Sequence, residues 1–217
     1  MTIVTNQLFA TQLEELKNVL QNNSTIVIDV ETNGLDSFGV NQICGVGVGE
    51  PLQKGLIQYY PFRHQYRRGE NLSTSQLNAL IQILNDYAQS FIGYNLKFDM
   101  HFLEKEGLSV VNKKLIDVIV MVRLIEHSDI RDLGLTPTGR RNYGDSVVQY
   151  DLDMKKELHA NKWHKDFSMA PSEILGEYCE HDVRLTARLY LDYLKKIVKT
   201  GQTQVFEMEC ALTAVLY

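Results

Sequence analysis

Residues 26–35 read "IVIDVETNGL", a run of β-branched apolar residues interrupted by two carboxylates, Asp29 and Glu31. The stretch 24–31 has the composition of a buried strand. Isolated charges are costly inside such a strand, so something must compensate them. On a strand, side chains two apart share a face, so Asp29 and Glu31 point the same way while Val30 points oppositely. A pair of acids on one face suits a divalent cation, because hard cations take oxygen ligands. A lone D-x-E is more often a strand end where the charges reach solvent or meet an arginine.

Two further segments carry the same kind of signal. In "GYNLKFDMHFL", Asn95 and Asp99 are four apart at the junction of a short strand and a helix, so both can face one site. Taken alone, Asn95 also reads as an N-cap and Asp99 as a first-turn acid favoured by the helix dipole. In "EYCEHDVRL", Tyr178 and Asp182 share a helix face, while Glu180 and His181 lie round from it. Four acids and a phenol thus come from three segments. Four carboxylates converge in a partly buried pocket only with cations, since their mutual repulsion would otherwise protonate some of them. Two divalent metals roughly 3.5–4 Å apart would neutralise the cluster and clamp the attacking and leaving oxygens of a phosphodiester.

The rest of the chain frames these segments. Its 217 residues suit one large domain, with 44% apolar and 23% charged residues and a net charge of −5. That acidity weighs against a nucleic-acid partner unless some acids are metal ligands. The run "PFRHQYRRG" (61–69) gathers Arg63, Arg67 and Arg68, in the manner of a solvated loop or a short phosphate track. No apolar run approaches the ~20 residues of a membrane span, and the N-terminus has no signal-peptide pattern. Three scattered cysteines without CxxC spacing fit a reducing compartment and argue against structural zinc.

Periodicity predicts helices over 8–20, 73–89 (opened by the capping box Ser73-x-x-Gln76), 96–107, 115–127 and 171–201. Strands are expected at 24–31, 42–50, 55–62 and 90–95, the first three as a meander. Residues 128–153, rich in turn formers, read as a long surface loop. The order indicates an α/β fold with mixed strand directions. Residues 1–201 are expected to form the main domain. Residues 202–217 read as a terminal helix, either docked on that domain or leading into a region missing from this chain.

"DVETNGL", "NLKFD" and "YCEHD" resemble the three motifs of the proofreading 3′–5′ exonucleases that use four acids and a tyrosine. "YYPFRHQY" and "LIDVIVMVRL" narrow the likeness to the exonuclease domain of family A DNA polymerases, over about residues 24–200. The resemblance implies a ribonuclease-H-like mixed β-sheet flanked by helices and two divalent metal ions, Mg²⁺ or Mn²⁺. Asp29, Glu31 and Asp182 would hold the catalytic metal, with Asp29 bridging to a second ion supported by Asp99. Tyr178 would orient the attacking water. Thr32, Leu35 and Asn95 would contact the terminal nucleotide of a single-stranded or mismatched DNA 3′ end, with Leu35 wedging against the last bases.

The same resemblance implies a polymerase domain as partner in a longer chain, working in the cytoplasm of a bacterial or phage-infected host cell. Related exonucleases with a histidine base place it five residues before the last aspartate, where this chain has Glu177. His181 is read as partly exposed and without a metal role. Two rivals remain: a ribonuclease D-like RNA 3′ exonuclease, and a non-catalytic module that holds DNA for a polymerase.

Overall fold

The computed structural model describes residues 2–52, 55–66, 70–126 and 131–215. Strand β1 (Thr2–Ile3) and helix α1 (Phe9–Asn22) precede β2 (Thr25–Thr32), β3 (Ile43–Gly49) and β4 (Ile57–Pro61). Helix α2 (Thr74–Tyr87), β5 (Ser90–Gly93), α3 (Leu96–Lys105), β6 (Lys114–Asp117) and α4 (Val118–Ile125) follow. Helices α5 (Leu135–Tyr143), α6 (Asp145–Ala160), α7 (Ser172–Lys199) and α8 (Thr203–Val215) complete the chain.

The sheet runs β1-β4-β3-β2-β5-β6. The meander β2–β3–β4 is antiparallel, and β5, β6 and β1 join in parallel. Strand alternation divides β2 between two cores. Ile26, Ile28 and Val30 pack with residues of α1, α2 and α3 such as Leu16, Leu80 and Leu103. Val27 packs with Met121 of α4, Val183 of α7 and Phe206 of α8. Asp29 and Glu31 therefore lie on the Val27 face, the one covered by α7. The capping box of α2 is formed as expected, with Ser73 and Gln76 bonding reciprocally.

Two expectations are corrected. Residues 115–117 belong to β6 rather than to the start of a helix, because β5 offers them a parallel edge from Ser90 to Gly93. The stretch read as a loop over 128–153 contains α5 and most of α6, apart from 127–130, which lie outside the described residues. Gly144, at φ 85°, supplies the left-handed residue that separates these helices. Of the arginine run, Arg63 is tied bidentately to Glu106 at 2.7 and 2.9 Å and donates to the Ile43 carbonyl. Arg67 and Arg68 lie outside the described residues. No helix among the described residues is long and apolar enough to cross a membrane.

Candidate active site

The site begins where β2 loses a neighbour. Strand β3 pairs with β2 from Val27 to Thr32, whereas β5 pairs only from Thr25 to Val27. The outer half of β2 therefore has an open edge, and the Asp99 carboxylate fills it. Asp99 Oδ1 accepts a hydrogen bond from the Val30 amide at 2.9 Å, tying the first turn of α3 to the backbone between Asp29 and Glu31. Glu31 and Asp99 are each 3% exposed, and Asp29 is half-buried.

Helix α3 is aimed at this edge by a carboxylate missing from the sequence-based set. Asp117, at the end of β6, accepts from the Asn95 and Leu96 amides (both 2.9 Å) and from the Ile119 amide (3.1 Å). One side chain thus satisfies orphan donors at the starts of α3 and α4. Burial pushes the Asp117 carboxyl up to about 6, against the pull of these three amides. Asn95 opens α3 at φ 60°, and its side chain makes no capping bond.

Helix α7 supplies the remaining groups. The glycines of β3 make its close approach possible. A β-carbon on Gly47 would collide with Cys179 Sγ, and one on Gly49 would lie 2.7 Å from Val183. Cys179 is buried and donates to Asp29 Oδ2 at 3.3 Å. Asp29, Glu31 and Cys179 each offer a ligand atom within 4.8 Å of the others. On the same helix, Tyr178 stands one residue before Cys179 and Asp182 three residues after it.

These acids lie close enough for their charges to act on one another. Burial, then the Asp182 charge, pushes the Asp29 carboxyl up to about 8. Glu31 is raised well above the ordinary range by burial and by Asp29, Asp182 and Asp99. Asp99 is raised by burial and by Asp29, and Asp182 by burial, with His181 opposing. Such a cluster either holds protons or is neutralised by cations, and its oxygen donors suit hard divalent ions. Burial and the Asp182 carboxylate also push the Tyr178 phenol up, so it stays protonated.

A cavity of about 320 Å³ lies beside the acids, lined by Thr32, Gly34, Leu35, His164, Lys165 and Phe167. Thr32 donates to the Gly34 carbonyl at 2.7 Å, fixing the turn that leaves Leu35 85% exposed. The Phe167 ring meets Tyr178 edge-on, with centroids 6.4 Å apart. Thr32 and Leu35 thus share one cavity, whereas Asn95 is exposed and lines another with Glu209, Leu212 and Thr213. Phe167, Cys179, Asp117 and Asp151 were given no role by the sequence reading, although Cys179, inside the third motif, and Asp117, inside "LIDVIVMVRL", each carried a positional signal. His181 is partly exposed as expected. Its Nδ1, however, lies 3.8 Å from Asp182 Oδ1, so it is not turned away from that acid.

Comparisons with known proteins agree with this geometry. A phage protein, the DNA polymerase DpoZ of Salmonella phage PMBT28, is 26% identical over 218 residues, covering 89% of this chain. The chain spans about 30% of that relative's length. Among solved structures, Escherichia coli RNase D, an exoribonuclease involved in structured RNA processing, has TM-score 0.64 at 15% identity over 99% of this chain and 49% of its own. Brucella melitensis NrnC with bound Mg²⁺ has TM-score 0.63 at 16% identity over 90% and 84%. These structural likenesses establish a ribonuclease-H-like exonuclease fold. The 3′–5′ exonuclease family matches residues 3–199, which span all three acidic segments and the fold around them. The chain therefore belongs to the 3′–5′ exonuclease family, in its family A polymerase type.

Proposed function

We propose that this domain removes nucleotides stepwise from single-stranded or mismatched DNA 3′ ends, as the proofreading part of a longer polymerase chain. The observation that carries the reading is the convergence of Asp29, Glu31, Asp99 and Asp182, whose carboxyls are raised first by burial and, for Asp29, Glu31 and Asp99, by the charges of neighbouring acids of the set. The polymerase context is supported by the phage relative, of which this chain matches about 30%. On that reading, residues 202–217 lead from the exonuclease domain into a polymerase region.

Asp29, Glu31 and Asp182 would hold one divalent cation, and Asp29 and Asp99 a second, as Mg²⁺ or Mn²⁺. When bound, such cations neutralise the phosphodiester, polarise its oxygens and acidify the attacking water. The chain's own residues place the reactants. Tyr178, kept as a phenol by burial and by Asp182, orients the water by hydrogen bonding rather than by taking its proton. The water oxygen forms the new bond to phosphorus and gives its proton to solvent, while the bond from phosphorus to the 3′ oxygen breaks and that oxygen takes a proton from solvent. The terminal base would enter the cavity between Leu35 and Phe167, where an apolar edge and an aromatic face bind any base. Asn95, at the mouth of a neighbouring cavity, would contact the strand further along.

The test is degradation of 5′-labelled single-stranded DNA, blunt duplex and single-stranded RNA side by side. The reading expects single-stranded DNA fastest and duplex slowest, since unpairing costs a few kcal/mol. Equal rates on duplex and single strand, or faster loss of RNA, would contradict it.

A further inference from the structure

A second group of ligand atoms, which includes Asp182, lies where α6 meets α7. Asp151, on α6, is 0% exposed. Its Oδ2 is taken by the Thr136 hydroxyl and by the Lys155 ammonium at 3.0 Å. Its Oδ1 is buried and has no hydrogen-bond partner among the described residues. Beside it, the His181 Nε2 lies 3.0 Å from the Val147 carbonyl. A carbonyl only accepts, so Nε2 carries a hydrogen, and in the neutral ring Nδ1 is left as a bare lone pair. That nitrogen is also buried without a partner among the described residues, 3.8 Å from Asp182 Oδ1 and beyond hydrogen-bond reach.

Asp151, His181 and Asp182 each present one ligand atom within 4.8 Å of the other two. Ligands ~2.1 Å from an ion lie roughly 3–4 Å apart around it, so closure requires side-chain shifts on the order of 1 Å. An imidazole that donates its other N–H to a backbone carbonyl is the usual arrangement at a metal. A groove of about 460 Å³, lined by Tyr150, Glu177, Glu180, His181 and Arg184, gives solvent access from the His181 side.

We infer that Asp151, His181 and Asp182 form an additional site for a first-row transition cation, separate from the cations of the Asp29/Glu31 centre and sharing Asp182 with it. The imidazole nitrogen sets its preference. Mg²⁺ favours oxygen and water, whereas Mn²⁺ and Zn²⁺ accept nitrogen, so the site discriminates against Mg²⁺. An ion there would satisfy the orphaned Asp151 oxygen and hold the Asp182 carboxylate from behind. The Lys155 ammonium stays on Oδ2 and limits the affinity without occupying the free oxygen.

The test uses the full chain carrying Asp29→Ala and Glu31→Ala, which removes the other centre, with Mn²⁺ binding read by paramagnetic resonance of the free ion. One Mn²⁺ per chain is expected to remain bound against a tenfold excess of Mg²⁺. Adding His181→Ala, at a partly buried position, is expected to weaken it at least tenfold, with circular dichroism reporting the fold. Asp151→Asn is expected to do the same, with the same check on the fold. Mn²⁺ soaked into crystals of the unaltered chain should give an anomalous peak between Asp151 and His181. No retained Mn²⁺, retention indifferent to His181→Ala, or equal displacement by Mg²⁺ would overturn the inference. Mg²⁺-dependent hydrolysis by the unaltered chain tests the exonuclease reading separately.

Discussion

Asp99 is bonded to the amide of Val30 at 2.9 Å, so an acid from α3 is anchored in the backbone between the two acids of β2. The anchoring fixes its position but leaves its charge uncompensated. Asp99→Asn keeps an oxygen for the Val30 amide and deletes the charge. Hydrolysis is expected to fall by ~10²-fold or more, as for other charged groups aimed at a reacting centre. The melting temperature in chelator is expected to stay level or rise, because repulsion with Asp29 is relieved. A lower melting temperature with unchanged hydrolysis would assign Asp99 a purely structural role.

Tyr178 and Asp182, four apart on α7, are expected to separate in their effects. Asp182→Ala should abolish hydrolysis and weaken Mg²⁺ binding in calorimetry. Tyr178→Phe keeps the buried ring and loses only the hydroxyl, so Mg²⁺ binding should persist while the rate falls ~10²–10⁴-fold. Full rate in Tyr178→Phe at saturating Mg²⁺ would remove its water-orienting role.

Without metal, the acids make stability depend on pH in a definite direction. Asp29 is raised from 3.8 to about 8, and Glu31, Asp99 and Asp182 are also raised. The folded state therefore holds protons that the unfolded chain releases near pH 4. Stability from these groups is fully present below that pH and is lost as pH rises towards 8. Urea midpoints in chelator should fall from pH 5 to pH 8, and added Mg²⁺ should flatten the profile by stabilising the charged cluster. A midpoint that rises with pH in chelator would contradict the clustering.

Gly47 tests how α7 is positioned. A β-carbon there meets Cys179 Sγ, and Val183 lies 3.3 Å away. Gly47→Ala is expected to cost ~1–3 kcal/mol through overpacking. A displacement of ~1 Å in Tyr178 and Asp182 would cost about 10²-fold in rate. Adding Cys179→Ala removes the colliding sulfur and should recover part of both losses. Loss of stability with no loss of rate would show that α7 does not set the geometry of these groups.

The sequence exposed the site where charge broke an apolar pattern, and concealed it where charge completed one. Asp29 and Glu31 stand out because a period-two apolar strand has no use for them. Helix α6 buries Val148, Asp151, Met154 and Leu158 at helical spacing, but one of the four is an acid. A count of apolar residues therefore sees no stripe, and the segment reads as a loop. Strand β6 merged with α4 because "LIDVIVMVRLI" is apolar under either period. The two-residue strand β1 is too short for any periodicity. The need for Gly47 arises from Cys179, 132 positions away, which local spacing does not report.

The most direct measurement of the central claim follows 5′-end-labelled single-stranded DNA incubated with the purified chain in Mg²⁺, and again in excess chelator. A ladder is expected that shortens one nucleotide at a time from the 3′ end, stops in chelator, and is absent with Asp29→Asn at any Mg²⁺ concentration. An intact strand, internal cuts in place of a ladder, or shortening that persists in chelator would contradict it.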